Sequence, residues 1–243
     1  MNIIKVKNYE ELSAGAADLV IRQIKKKPNS VLGLPTGSTP LGLYRQLINA
    51  NNKCQVSFRK VKTFNLDEYY GLTPEDPQSY RYFMDKNLFN KIDIDKKNTH
   101  VPPGRFKKSE EKKICRAYEA QIKKAGGIDL QILGLGGNGH IGFNEPRSSF
   151  KSRTRLVNLT KKTISDNSRF FAGSDDVPRQ AVTIGLATIM EAKKIILIIS
   201  GENRAPAVAK LIRGKMFESF PGSILRRHPS VTVIVDKSAA CKI

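Results

Sequence analysis

The chain has 243 residues, 40% of them hydrophobic, and carries 42 Lys and Arg against 22 Asp and Glu for a formal charge of +20. That length buries a substantial core, as one large α/β domain or two small ones. No apolar run reaches the roughly 18–20 residues needed to cross a bilayer. The first twenty residues have neither the apolar stretch nor the small-residue cleavage site of a signal peptide, so a cytoplasmic protein is expected. Cys54, Cys115 and Cys241 are odd in number and far apart, which indicates neither a disulfide framework nor a zinc knuckle. His100, His140 and His228 show no metal-pair spacing, and no metal is expected. The positive charge fits a nucleic acid, a membrane surface, an anionic substrate or simply a lysine-rich surface. Runs such as "IKKKP" (24–28) and "RFKKSEEKK" (105–113) lack the spaced aromatics of an RNA-binding signature. A solvated surface is the favoured reading, with neither nucleic acid nor membrane as partner.

In chain order, "NIIKVK" (2–7) reads as a strand and residues 9–27 as a helix with apolar Leu12, Ala16, Leu19, Val20 and Ile24 on one face. "SVLGL" (30–34) reads as a buried strand, and residues 39–51 as a helix with Pro40 in its first turn. "VKTFNL" (61–66) is a strand; residues 79–92 and 109–126 are helices, the second starting at a Ser109 cap and ending in glycine. "IDLQILGLG" (128–136), "KKIILIIS" (193–200) and "VTVIVD" (231–236) are near-continuous apolar runs. Strands buried on both faces look like this. "RTRLVNL" (153–159) is a more polar strand, and residues 160–182 suggest a short helix with a mobile loop. The expectation is an α/β fold, a single Rossmann-like domain spanning 1–243. Its sheet is open and mostly parallel, with helices on both faces.

Four strands release a chemically loaded loop at their C-terminal ends, where open α/β sheets bind ligands. "PTGSTP" (35–40) offers a turn at Gly37, the hydroxyls of Ser38 and Thr39, and a helix start, together a cradle for phosphate. It lacks P-loop spacing, and an ordinary capped β–α turn has the same composition. "DEYYG" (67–71) places Asp67 and Glu68 beyond a strand, where a carboxylate serves as a general base or merely caps the next turn. In "GNGHIGFNEP" (137–146), Asn138 and Glu145 are placed to fix the tautomer and orientation of His140. The glycines around it are expected to let a ligand lie against the backbone. Arg169 and Arg204 are two cations able to close over a phosphate.

These loops, with "SYRYFM", "SRTR" and "NSRFF", resemble the glucosamine-6-phosphate deaminase family over most of the chain. The resemblance implies conversion of glucosamine-6-phosphate and water to fructose-6-phosphate and ammonia, without a metal or organic cofactor. It implies that Asp67 moves a proton from carbon two to carbon one, that His140 assists ring opening, and that Glu145 orients it. Asn138 falls where some members have aspartate. Thr36, Gly37, Ser38, Thr39 and Arg169 match the phosphate site, Arg204 stands where lysine is common, and residues 160–182 match an active-site lid. A sugar-phosphate isomerase or 6-phosphogluconolactonase on the same type of fold is the alternative; Asp67 together with the His140–Glu145 pair favours the deaminase. Some members are hexamers activated by N-acetylglucosamine-6-phosphate through a serine, an arginine, a lysine and a C-terminal tyrosine. Ser148 and Arg155 match the first two, Val157 replaces the lysine, and the sequence ends at Ile243 before the tyrosine. A monomer or small homo-oligomer without that activation is expected.

Overall fold

The computed structural model of the chain describes residues 1–168, 171 and 176–243. In chain order its elements are β1 (Asn2–Val6), α1 (Tyr9–Lys26), β2 (Val31–Leu34), α2 (Leu41–Asn52), β3 (Lys62–Asn65), β4 (Asp67–Tyr69), α3 (Tyr80–Asn87), β5 (Thr99–His100), α4 (Glu111–Lys124), β6 (Leu130–Gly134), β7 (Arg155–Asn158), α5 (Lys161–Asn167), β8 (Gln180–Thr183), α6 (Leu186–Met190), β9 (Ile195–Ile199), α7 (Ala205–Arg213) and β10 (Val231–Asp236). Seven strands pair in the order β1-β10-β9-β6-β2-β3-β5, every pairing parallel.

The continuous apolar runs follow from this geometry, because side chains alternate between two covered faces. Along β9, Ile195, Leu197 and Ile199 join a core with Ile122 of α4, Ile189 of α6 and Leu211 of α7. Ile196 and Ile198 point the other way, into a core with Leu12 and Val20 of α1 and Leu43 and Leu47 of α2. Where Gly33 pairs with Gln131 between β2 and β6, the buried amide of Gln131 lies across the glycine, and a Cβ there would stand 2.1 Å from it. Only glycine fits.

The chain runs from β2 outward to β3 and β5, then returns to β6 on the other side of β2 and continues to β9 and β10. The strand order therefore reverses between β2 and β6. Such a switch point opens a crevice at the C-terminal ends of the strands.

A second sheet departs from the sequence reading. β4, β8 and β7 pair antiparallel, with Asp67 opposite Thr183 and Arg155 opposite the same residue. Asp67 thus opens a short strand and is not part of a free loop. The polar strand at 153–159 belongs here, and residues 180–183, of which 180–182 are expected within the lid, form a strand buried from Ala181 to Thr183. Flanking Arg179 and Gln180 hide that short run in a polar composition. Three helix limits also move. Pro40 is the residue before α2, and α3 stops at Asn87, whose side-chain amide donates to the Phe83 carbonyl while Leu88 leaves helical geometry. Ser109 lies inside a 3₁₀ turn, Lys108–Glu110, that precedes α4.

Candidate active site

The crevice contains a cleft of about 210 Å³ whose walls include Thr36 to Thr39, Asp67, His140 and Arg204. The four loops do converge. Arg169 lies outside the described residues. Two larger hollows, about 660 and 960 Å³, lie elsewhere on the molecule. Several of their charged side chains are paired to one another, Arg81 with Asp85 and Arg153 with Glu119 and Glu191. Size alone does not mark a site; converging chemistry does.

Beyond β2 the chain turns at Gly37, whose φ of +92° is a conformation that L side chains rarely adopt. The turn leads Ser38 and Thr39 into the start of α2, with the Leu41 amide donating to the Ser38 carbonyl. Arg204 reaches the cleft from the 3₁₀ turn Glu202–Arg204 after β9, its guanidinium 3.0 Å from where a Cβ at Gly137 would stand. A glycine turn, hydroxyl-bearing residues and a cation thus line one small volume, a composition that suits a phosphate.

Asp67 and Glu68 have separate tasks. Glu68 is buried and accepts hydrogen bonds from the Tyr69, Tyr80 and Arg81 amides at 2.8, 2.9 and 2.9 Å. It caps the N-terminus of α3. Burial still raises its carboxyl to about 7, against the lowering effect of those amides. Asp67 points into the cleft, only 5% exposed. Burial first, and the neighbouring Glu68 charge second, push its carboxyl up to about 8, with the Phe143 amide pulling the other way. A carboxylate so raised is a far stronger base than an ordinary one.

The loop after β6 holds a three-residue relay. Asn138 Oδ1 accepts from the His140 backbone amide at 3.1 Å and lies 2.6 Å from Nδ1 of the same imidazole. The Asn138 side-chain nitrogen donates to Glu145 Oε2 at 3.0 Å. Reversing the amide would set an NH₂ against the His140 N–H, so the orientation is determined. An amide oxygen only accepts; Nδ1 must therefore carry the proton, which places the basic lone pair on Nε2. Glu145 Oε2 lies 3.8 Å from Nδ1 and supplies charge behind the amide.

The other oxygen of Glu145 accepts from Thr163, and from Thr160 at 3.4 Å. Thr160 caps α5 and Thr163 is buried one turn in. The spacing "TKKT" gives no catalytic signal, yet it ties the relay to the helix that begins the expected lid. Thr163→Val keeps the shape but leaves a nine-tenths buried carboxylate oxygen short of its donor. A missing donor of this kind costs about 1–3 kcal/mol. We expect kcat/KM to fall about 5–50-fold in Thr163→Val and to recover in Thr163→Ser, measured by initial rates.

Two glycines of this stretch make room for the site's own side chains, while Gly134, with nothing beside its Cβ position, lines the cleft. A Cβ at Gly136 would stand 2.2 Å from the His140 ring, and one at Gly142 would stand 3.0 Å from Asp67 Oδ2. The space they create is filled by the site's own side chains. Sequence reasoning also missed Tyr80 and Asn167, which line the cleft from the starts and ends of α3 and α5. Tyr80 stacks on Phe143 and is linked by a side-chain hydrogen bond to Tyr69. Neither belongs to a loop motif, so only the fold brings them in.

Residues 7–234 match the family model described as glucosamine-6-phosphate isomerases/6-phosphogluconolactonase. The chain belongs to that family. It is 54% identical over 243 residues to the glucosamine-6-phosphate deaminase of Thermoanaerobacter pseudethanolicus, covering 100% of this chain and 95% of that protein. Identity to the glucosamine-6-phosphate deaminase of Clostridium botulinum strain Langeland is also 54%, covering 100% and 99%. A solved structure described as a monomeric glucosamine-6-phosphate deaminase superposes with a TM-score of 0.97 at 45% identity, covering all of both chains. The 6-phosphogluconolactonase of Trypanosoma brucei shares the family fold, with a TM-score of 0.81 at 18% identity over 100% and 98% of the two chains.

Proposed function

We propose that this chain converts glucosamine-6-phosphate and water to fructose-6-phosphate and ammonia. The observation that carries the reading is the convergence in one cleft of Asp67, raised to about 8, and the oriented His140, beside an anion cradle. Thr36 to Thr39 and Arg204 hold the phosphate. His140 Nε2 takes the proton of the C1 hydroxyl and passes it to the ring oxygen, which opens the ring. Asp67 removes the C2 proton as a proton of the C2 ammonium passes to O1, which gives an enolamine, and it returns its proton at C1, leaving a C2 iminium. Water adds there, and ammonia departs as the C2 carbonyl forms. These steps require one base over the carbon skeleton and one imidazole, both supplied by the chain.

Residues 1–243 act in this reading as one domain, in the cytoplasm, with a sugar phosphate and no nucleic acid as partner. No described helix is long and apolar enough to cross a membrane. The test is to incubate purified protein with glucosamine-6-phosphate and measure ammonia and fructose-6-phosphate together. Equal yields are expected; lactone hydrolysis without ammonia would overturn the assignment.

The regulatory expectation rests on Val157. Ser148 and Arg155 stand together, the guanidinium 3.3 Å from the hydroxyl, but Val157 packs against the apolar cluster around Leu159 and Ile164. Its side chain brings no charge to an anion. A lost charge-assisted hydrogen bond is worth about 1.5–3 kcal/mol, as large as an ordinary allosteric coupling. We expect hyperbolic kinetics, no activation by N-acetylglucosamine-6-phosphate, and a monomer or small oligomer. Sigmoidal curves that the acetylated sugar makes hyperbolic would contradict this.

A further inference from the structure

We propose that Tyr9, outside the cleft, is a positioning residue that sets the phosphate cradle; the role rests on the assignment of residues 36–39 to phosphate. Gly42 is the second residue of α2, so its amide is one of the four that a helix start leaves without an intrahelical partner. Here it donates to the Tyr9 phenol oxygen at 2.8 Å. The hydroxyl proton is shared between the Thr39 carbonyl at 2.9 Å and the Ser38 carbonyl at 3.2 Å. The phenol is therefore spliced between the second amide of α2 and the two carbonyls that precede the helix. Tyr9 itself is the first residue of α1, whose cap Asn8 accepts from the Glu11 amide. It reaches the turn from a second, rigid element.

The neighbourhood is shaped for this insertion. A Cβ at Gly42 would stand 2.1 Å from Ser13 Oγ and 3.0 Å from the Tyr9 ring. Glycine at 42 lets α1 and α2 approach closely enough for the phenol to enter. Both carbonyls that Tyr9 holds belong to Ser38 and Thr39, two of the residues that line the cleft. Without the hydroxyl, the Gly42 amide and the Ser38 and Thr39 carbonyls lose the partner they share, and nothing from α1 then fixes the turn that carries Ser38 and Thr39.

Tyr9→Phe keeps the ring and removes only the splice. In the variant we expect inorganic phosphate, titrated calorimetrically, to bind about 5–20-fold more weakly. KM for glucosamine-6-phosphate should rise by a similar factor while kcat stays within about twofold. Inhibition by glucosaminitol, which has no phosphate, should not change. Unchanged phosphate affinity would overturn the proposal. So would equal weakening of phosphate and glucosaminitol, which would mean a general loosening of the cleft. Phosphate binding needs no turnover, so this result stands apart from the ammonia assay: a wild type that releases no ammonia defeats the assigned reaction, not the splice.

Discussion

Asp67→Asn is expected to lower kcat by about 10²–10⁴-fold, the range a positioned general base contributes, while KM for the sugar phosphate changes little. The amide is nearly isosteric with the carboxyl, and in the proposed reaction residue 67 faces the carbon skeleton while phosphate affinity is assigned to Thr36 to Thr39 and Arg204, which line the cleft from other loops. An interaction made only in the chemical step falls out of kcat and leaves ground-state binding intact. Initial rates of ammonia release and phosphate binding by the same variant separate the two. A variant retaining a tenth of wild-type kcat would remove Asp67 from the role of base.

The same substitution is expected to stabilise the protein. The Asp67 carboxyl titrates near 8 when folded, against 3.8 for an ordinary aspartate. Between those values the folded state holds a proton that the unfolded chain has released, so stability falls as pH rises from about 4 through about 8. Above that window the fold carries the whole cost of a buried charge. Asparagine carries none. We expect Asp67→Asn to melt roughly 5 °C or more above wild type at pH 9, with the gap closing toward pH 4. Glu68, raised to about 7, slopes the curve of both proteins the same way and largely cancels in the comparison. In the wild type, kcat/KM should climb across the same range as Asp67 ionises. A melting difference independent of pH would break the link between the titration and stability.

The parallel sheet was legible in the sequence because its strands are covered on both faces. β6, β9 and β10 are near-continuous apolar runs, interrupted only by Gln131, Thr232 and Asp236, that a half-exposed strand would not tolerate. The four loops were legible for a related reason: polar and glycine-rich segments following buried strands have few structural uses. The second sheet was not. β4 is three residues long and begins with two carboxylates, and β8 is bracketed by polar residues. Their burial comes from contacts between distant segments, which periodicity within either one does not record. Glu68 as a helix cap, Tyr80 in the cleft wall and Thr163 behind Glu145 were hidden for the same cause. The glycines around His140 were noticed, but composition could not say what occupies the space beside them. It is the imidazole itself that lies on Gly136.

His140→Gln is expected to slow turnover of the cyclic sugar phosphate by about 10²–10³-fold, within the range assigned to one general acid–base group. Opening the ring removes a proton from the C1 hydroxyl and delivers one to the ring oxygen. A neutral imidazole does both in turn, provided its lone pair faces the substrate. Asn138 and Glu145 secure that condition by keeping the proton on Nδ1. Glutamine can donate or accept a hydrogen bond but cannot carry a proton from one oxygen to the other. Asp67 remains competent in the variant, so any open-chain sugar formed in solution should still be deaminated. The consequence is a rate that stops rising with enzyme concentration once spontaneous ring opening limits the flux. Wild type should show no such ceiling over the same range. A His140→Gln enzyme whose rate is reduced but stays proportional to its concentration throughout would place the imidazole in another step.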